Sequence, residues 1–188
     1  MNSIKQIVSV AVIALVLMSC DSLSSKQPEN VSDFKKIEAE LSSEFGNDAY
    51  YTDLSVMYIK GLGVTTSATV TKEPTSLKMG QWENSQGWKQ SSEISLELPE
   101  GTEAKDFMFQ LKDKINLSNL GDCVEKSISH LKSEKKIEKP ALHLASVSFP
   151  DNGDYSKADY LIMLKPENGG TTFTYTYSLD GELLNFRY

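Results

Sequence analysis

Cysteine and histidine, the side chains used most often as nucleophiles and metal ligands, occur only four times in this chain. Cys20 and Cys123 are far apart, and His130 and His143 fit neither a His-Glu-x-x-His nor a Cys-x-x-Cys spacing. A catalytic zinc needs about three protein ligands within reach. We therefore expect no metal site and no cofactor, and we expect both histidines to be ordinary core or surface residues.

The acidic residues offer one candidate cation site, the segment Asp151-Asn152-Gly153-Asp154. It lacks the alternating acids and final glutamate of a calcium loop, and an Asx-Gly turn between strands explains it without a metal. Glu103 and Asp106 lie on a predicted solvated helix face. Gly61-Leu62-Gly63 lacks the third glycine of a phosphate loop, and no Gly-x-Ser-x-Gly nucleophile elbow is present. The sequence therefore predicts no catalytic residues, and a protein that is not an enzyme.

Cys20 is the cysteine with a distinctive context. It follows Lys5 and an apolar run from Ile7 to Met18, which is the pattern of a secretory signal with a small residue before the cut. The run is shorter than the roughly 20 residues needed to span a bilayer. Leu17-Met18-Ser19-Cys20 resembles the lipobox of bacterial lipoproteins. An ordinary signal peptide with an incidental cysteine, or an uncleaved anchor helix, fits the pattern less well.

The lipobox resemblance implies a modification and a location. In that family the cysteine thiol receives a diacylglyceryl group, a peptidase cuts just before it, and the new amino end is usually acylated too, with fatty acids such as palmitate. Residues 1–19 would then be a lipoprotein signal peptide, and Cys20 the lipid anchor of a bacterial cell-envelope protein. No polybasic patch follows Cys20, so the lipid would carry the attachment alone.

The residue after the anchor does not decide which membrane carries the protein. Asp21 resembles the signal that retains some Gram-negative lipoproteins in the inner membrane. In other bacterial groups an acidic stretch near the anchor marks surface export instead. The sequence therefore leaves the inner and the outer membrane open.

Composition narrows the partners of the mature chain. Removing residues 1–19 leaves 169 of 188 residues and moves the formal charge from −7 to −8, because Lys5 is the only charged residue removed. Phosphate backbones repel an acidic surface, so we expect no nucleic acid partner.

Hydrophobic residues make up 39% of the chain, which is low for a globular domain but above the disordered range. With Cys20 lipidated, Cys123 has no disulfide partner within the chain. We expect it to be a small buried hydrophobe on a helix rather than half of an intermolecular bridge.

Periodicity divides the mature chain into a tether and one domain. Residues 20–31 form the lipidated end and a polar segment typical of a flexible tether. The domain, residues 32–188, is expected to begin with a helix capped by Ser32. The apolar face of this helix comprises Phe34, Ile37, Leu41 and Phe45.

Two more helices are expected in the middle of the chain. The first would be capped by Thr102 and bury Ala104, Phe107, Met108, Leu111 and Ile115. After a break at 116–118, the second has an apolar face at helical spacing, formed by Leu120, Val124, Ile128 and Leu131. The charged run Lys132 to Lys139 is typical of a solvated helix end, and Pro140 would terminate it.

Alternating and β-branched runs predict eight strands in two groups. They cover residues 52–59, 65–72, 77–82 and 88–98 in the first group and 142–149, 158–164, 171–179 and 183–188 in the second. Asn84-Ser85-Gln86-Gly87 and Asp180-Gly181 are expected to form hairpin turns. In the fourth strand, four residues share a parity and are expected to face the core: Trp88, Ile94, Leu96 and Leu98.

The predicted fold class is α+β, with helices packed on one face of an antiparallel sheet or sheets. Residues 32–98 and 102–188 each place a helix before a run of strands, and Lys72-Glu73-Pro74 has a counterpart in Lys165-Pro166-Glu167. Either a degenerate duplication or shared hairpin chemistry explains this likeness. The layout resembles, in topology only, the tandem helix-plus-meander modules of PepSY-like and beta-lactamase-inhibitor-protein-like envelope proteins. No family motif is matched, so the resemblance transfers no functional residues.

Two kinds of function are consistent with these features. The first is a non-catalytic binding or structural module whose sheet face away from the helices presents Thr172, Thr174 and Thr176, with Trp82 and Trp88 nearby, to a protein or glycan. A simple solvated sheet face is equally consistent with this pattern. The second is an envelope inhibitor, or a hydrolase-type enzyme with an unrecognised site. As an inhibitor, the protein would present the 151–154 turn or the Trp82–Trp88 hairpin.

Overall fold

A computed structural model of the chain describes residues 26–112 and 114–188. The predicted signal peptide, Cys20 and the first part of the predicted tether lie outside the described residues. Two α-helices are present in the described part, α1 (Val31–Phe45) and α2 (Leu117–Glu134), and neither is long and apolar enough to cross a bilayer. The strands are β1 (Tyr50–Ile59), β2 (Gly63–Thr71), β3 (Lys78–Asn84), β4 (Trp88–Ser95), β5 (Pro140–Ser148), β6 (Asp159–Pro166), β7 (Phe173–Ser178) and β8 (Leu183–Arg187).

The eight strands form one antiparallel sheet in the order β4-β3-β2-β1-β5-β6-β7-β8. Each half of the chain contributes a helix followed by a four-strand meander, and the two meanders join where β1 pairs with β5. The predicted α+β class, with helices and an antiparallel sheet, is confirmed. The first strand of each half therefore lies at the centre of the sheet.

Both helices pack on the same face of this sheet, which we call the helix face. One continuous core cluster contains the buried side chains of α1 and α2 together with strand residues such as Leu54, Ala145 and Tyr175. The predicted helical faces are confirmed, because Phe34, Ile37, Leu41 and Phe45 are buried in α1 and Leu120, Val124, Ile128 and Leu131 in α2. The opposite side of the sheet is called the open face below.

The cap of α1 differs from the prediction. Asn30, not Ser32, is the N-cap, and its side-chain oxygen accepts hydrogen bonds from the backbone N–H groups of Ser32 (2.9 Å) and Asp33 (3.2 Å). Asparagine and serine are both good caps, so residue type alone did not decide between them. Helix α2 is also capped by an asparagine, Asn116, which accepts a bond from the backbone N–H of Asn119 (2.8 Å).

The predicted helix beginning at Thr102 is wrong. Residues Ala104–Phe107 form only one 3-10 turn, and Met108 is already extended. Phe109 then forms an antiparallel bridge with Tyr51, with two backbone hydrogen bonds of 2.8 Å and stacked rings. Pairing with β1 satisfies the backbone and buries Phe109 completely, so this tertiary contact outweighs the local helical spacing.

The prediction that four residues of β4 face one core is wrong because the strand contains a bulge. Gln81 pairs with Ser92, but Trp82 pairs with Gln90, so one extra residue interrupts the alternation. A bulge of this kind reverses which face the later side chains occupy. Trp88 therefore packs against the main core, whereas Ile94, Leu96 and Leu98 join Met79 and Met108 in a smaller cluster on the open face.

The hairpin predictions are confirmed. In the β3–β4 turn the side chain of Asn84 accepts a hydrogen bond from the N–H of Gly87 (3.0 Å). In the β7–β8 turn the N–H of Gly181 donates to the carbonyl of Ser178 (2.9 Å). Both glycines have positive φ, 112° and 81°, a conformation that costs other residues about 1–2 kcal/mol.

Candidate functional site

The three threonines predicted to form a binding surface do not form one row. Thr174 and Thr176 alternate with the buried aromatic residues of β7 and so lie on the open face, where Thr174 is buried and Thr176 half-buried. Thr172 precedes the first residue of β7 and is not part of the ladder. The open face therefore carries two of the three residues at regular strand positions.

The two tryptophans are not near these threonines. The ring of Phe45 in α1 makes edge contacts with Trp82 at 5.4 Å and with Trp88 at 4.9 Å, which places both indoles on the helix face. Four strands separate β3 from β7 in the sheet, a distance of roughly 24 Å at normal strand spacing. The expected combination of threonines and tryptophans on one surface is therefore wrong.

The same contacts change the interpretation of the Trp82–Trp88 hairpin as an inhibitory plug. Its tip consists of the exposed residues Ser85 and Gln86, while the indoles hold the base of the hairpin to α1. The aromatic residues therefore serve packing, and the tip presents small polar groups.

Cys123 is confirmed as a buried residue on a helix. Its side chain is inaccessible to solvent within α2, and burial raises the pKa of the thiol to about 12. The thiolate is the reactive form of cysteine, so this thiol is held in its unreactive state.

His130 also has a structural environment. Its Nδ1 lies 2.8 Å from the hydroxyl of Tyr175, and its ring contacts that of Phe186 edge-on at 5.0 Å. This arrangement matches the predicted satisfied histidine and links α2 to the last two strands.

The segment Asp151–Asp154 forms the predicted turn. The N–H of Gly153 donates to the carbonyl of Pro150 (2.9 Å), and the carboxylate of Asp154 accepts bonds from the hydroxyl and the N–H of Ser156. These bonds lower the pKa of Asp154, and they use its carboxylate within the turn. Across residues 26–112 and 114–188, no three His, Cys, Asp or Glu side chains are grouped closely enough to hold one metal ion.

A cavity lies where the two halves of the sheet separate. Pairing between β1 and β5 stops at Met57 and Leu144, although β1 continues to Ile59 and β5 already begins at Pro140. The diverging strands enclose a cleft of about 670 Å³. Its apolar lining includes Tyr58, Ile59, Pro140, Ala141, Leu142 and Pro166.

Gln27 closes the inner wall of this cleft. Its side-chain Nε2 donates to the carbonyl of Pro140 (3.1 Å), and its Oε1 accepts from the N–H of Leu142 (3.0 Å). The amide thus takes the place of a strand neighbour that β1 no longer provides. Because Gln27 lies at the start of the described chain, the cleft is located where the chain arrives from the predicted anchor.

Five lysines line this cavity, which we call the lysine cleft: Lys26, Lys60, Lys132, Lys139 and Lys165. Three glutamates accompany them, and one of these, Glu167, pairs with Lys60 at 2.8 Å and Lys139 at 3.6 Å. The remaining lysines of the cleft form no ion pair among the described residues. The lining therefore carries a net charge of +2 in a protein whose formal charge is −7.

His143 lies among these lysines in the cleft wall. Its partial burial, and to a smaller extent the charge of Lys165, lower the pKa of the imidazole. The lowered pKa of His143 therefore reflects its burial first and the charge of Lys165 second.

Sequence reasoning missed the lysine cleft. Only the run Lys132 to Lys139 had a visible pattern, and it was interpreted as a solvated helix end. The other lysines come from the start of the chain, from the β1–β2 turn and from the end of β6. The topology, not the spacing of the lysines along the chain, brings them together.

Gln27→Ala is expected to lower the free energy of unfolding by about 1–2 kcal/mol, because it leaves a backbone carbonyl and an N–H of β5 without their partner. Urea unfolding followed by far-UV circular dichroism measures this. Gln86→Ala, at the exposed hairpin tip, is the matched control and should change stability by less than about 0.5 kcal/mol. Equal stabilities for both variants would contradict the role assigned to Gln27.

The fold and this cavity define an open-faced α+β domain with a basic cleft at the joint between two helix-plus-meander halves. No family model, no curated protein and no solved structure matches the chain.

Proposed function

We propose that this protein is a lipid-anchored component of a bacterial cell envelope that acts as a non-catalytic binding module. The observation that carries the proposal is the lysine cleft, a cavity of about 670 Å³ with basic walls on an acidic protein. Ligand sites are commonly cavities of this size, with a mostly apolar lining and a few polar groups. Lys26, which follows Cys20 by six positions, also lines the cleft.

The proposed anchor rests on the residues before the domain. The apolar run and Leu17-Met18-Ser19-Cys20 fit the lipobox pattern, and two or three acyl chains hold a protein firmly where one binds only marginally. The first residues that the structure describes follow Cys20 by only a few positions. Among them, Pro28 is buried against the domain and Gln27 is hydrogen-bonded to β5. The end of the predicted tether, from Gln27 to the cap Asn30, is therefore held on the domain.

The non-catalytic part of the proposal is supported by three buried side chains of nucleophilic type. Burial raises the pKa of Cys123 and of the tyrosines Tyr160 and Tyr177. Each of these tyrosines is used in a structural hydrogen bond, Tyr160 to Asn116 and Tyr177 to Ser127. A nucleophile or base needs a pKa shifted towards the reactive form, which is the opposite of what these groups show.

Metabolic labelling with an alkyne analogue of palmitate, followed by separation of membranes, tests the anchor. We expect the native chain to be labelled and to sediment with the membranes. Cys20→Ala should abolish the label and leave the signal peptide attached, because cleavage in this class follows lipidation.

Cys123→Ala is the matched control for the labelling, since it removes the only other cysteine of the chain. It should retain both the label and the mature size. An unlabelled native chain, or equal labelling of Cys20→Ala, would overturn the proposed anchor.

A further inference from the structure

We propose that the lysine cleft binds the head group of an anionic phospholipid at the surface of the membrane that carries the anchor. The proposal deepens the proposed function and rests on it in one respect: the lipid on Cys20 would keep the cleft beside the bilayer. Three features of the cleft indicate this ligand: its positive charge, the apolar residues beside its lysines, and its short distance along the chain from Cys20.

The charge of the cleft favours a phosphate-bearing anion. Lys26, Lys132 and Lys165 form no ion pair with any side chain in the described part of the chain, and Lys132 is exposed. Their ammonium groups therefore keep their capacity to contact a ligand. Each basic side chain near an anionic membrane surface strengthens binding about five-fold.

An exposed apolar turn adjoins the lysines and favours a lipid over a simple anion. Ile59, the last residue of β1, and Leu62, in the β1–β2 turn, are 43% and 77% exposed. The backbone N–H of Leu62 donates to the carbonyl of Ile59 (3.0 Å). Lys60, between them, lines the cleft. Apolar side chains flanked by lysines are typical of protein surfaces that lie at the head-group boundary.

The length of the chain to the anchor places the cleft within reach of the membrane. Lys26 lines the cleft and follows Cys20 by six positions, a span of at most about 20 Å when fully extended. The rest of the protein is acidic and would be repelled by an anionic surface. An orientation with the lysine cleft towards the membrane places the positive region next to the phosphates and the acidic surface away from them.

Binding of water-soluble short-chain lipids to the full chain purified in neutral detergent tests the proposal by titration calorimetry. We expect dihexanoyl phosphatidylglycerol to bind at least ten-fold more tightly than dihexanoyl phosphatidylcholine, because only the former carries a net negative charge. Binding should weaken as salt is raised, since salt screens exposed charges. Equal binding of the two lipids would overturn the proposal.

Two further probes identify the source of the anion. Inorganic phosphate should bind at least ten-fold more weakly than the phosphatidylglycerol, because it lacks the part that contacts the apolar turn. Equal or tighter binding of phosphate would show a free-anion site, and tighter binding of an octaglutamate peptide would show an acidic protein partner. Either result overturns the lipid proposal.

Charge reversal locates the site. Lys132→Glu with Lys165→Glu should weaken phosphatidylglycerol binding at least about 25-fold, five-fold for each lysine removed, with added repulsion increasing the loss. Lys36→Glu with Lys89→Glu changes the net charge equally outside the cleft and should weaken binding less than five-fold. Equal losses in both pairs would overturn the assignment to the cleft.

Leu62→Ser separates the apolar contact from the charge. It should weaken phosphatidylglycerol binding while leaving phosphate binding unchanged. Circular dichroism confirms that each variant is folded before the comparison. These titrations do not require Cys20 to be lipidated, so a failure of this proposal and a failure of the proposed anchor give different results.

Discussion

Phe45→Ala is expected to lower the free energy of unfolding by about 3–5 kcal/mol, the usual cost of truncating a buried phenylalanine. The ring is only 4% exposed and makes edge contacts with both Trp82 and Trp88. These are the only tryptophans in the sequence, so intrinsic fluorescence reports on this contact. In the folded variant the emission should shift to longer wavelength, because water replaces the ring beside the indoles.

Phe34→Ala is the matched control for this experiment. Phe34 is fully buried at the other end of the same helix, and no ring contact joins it to either tryptophan in the described structure. It should lose a similar amount of stability by urea unfolding and keep the native emission maximum. An unshifted emission in folded Phe45→Ala would contradict the packing of the first hairpin on α1.

The elements whose apolar spacing matches their environment could be predicted from the sequence. Phe34, Ile37, Leu41 and Phe45 recur at helical spacing, and that stripe is the buried face of α1. In β7, Phe173, Tyr175 and Tyr177 alternate with threonines, and this alternation predicted the strand correctly. The pattern is clear because only one side of the strand packs on the helices. For these elements local pattern and tertiary contact agree.

The predictions that were wrong concern elements whose conformation is decided by a partner distant in sequence. The spacing around Met108 suits a helix, yet Phe109 is extended because β1 offers it two backbone hydrogen bonds. The bulge in β4 exists through its pairing with β3, and a parity count along β4 alone cannot reveal it. The error placed Trp88 and Ile94 on one face, although they lie on opposite faces of the sheet.

The lysine cleft could not be predicted from the sequence for a related reason. No polybasic patch follows Cys20, and the five lysines of the cleft come from four separate parts of the chain. They meet because β1 and β5 are central and diverge at one end. The predicted surface of threonines and tryptophans failed because the hairpin contacts α1, which reverses the face that the indoles occupy.

The close approach of the two helices sets the position of the cleft wall. Gly121 in α2 lies so near α1 that an added Cβ would be 2.9 Å from the Cα of Val31 and 3.1 Å from the carbonyl oxygen of Asn30. Real Cβ atoms essentially never come within 3.0 Å of a heavy atom from another part of the chain. Because these neighbours are backbone atoms of the first turn of α1, a larger residue must push the start of that helix away.

The start of α1 also carries the residue that closes the cleft. Gln27 precedes the cap Asn30 by three positions and bonds to β5. A displacement of the first turn of α1 would therefore move Gln27 and open the inner wall of the lysine cleft. The contact at Gly121 thus links helix packing to the shape of the proposed site.

Gly121→Val is expected to lower the free energy of unfolding by about 3 kcal/mol, at the upper end of the usual range for overpacking. Gly121→Ala should lie between it and the native chain, since its gain of about 1 kcal/mol in helix propensity offsets part of the clash. Ser129→Val, on the exposed side of the same helix, is the control for a new β-branched residue and should change stability by about 0.5 kcal/mol or less. Urea unfolding measures the free energy of unfolding of all three variants. A Gly121→Val protein as stable as the native chain would contradict the close contact between the two helices at Gly121.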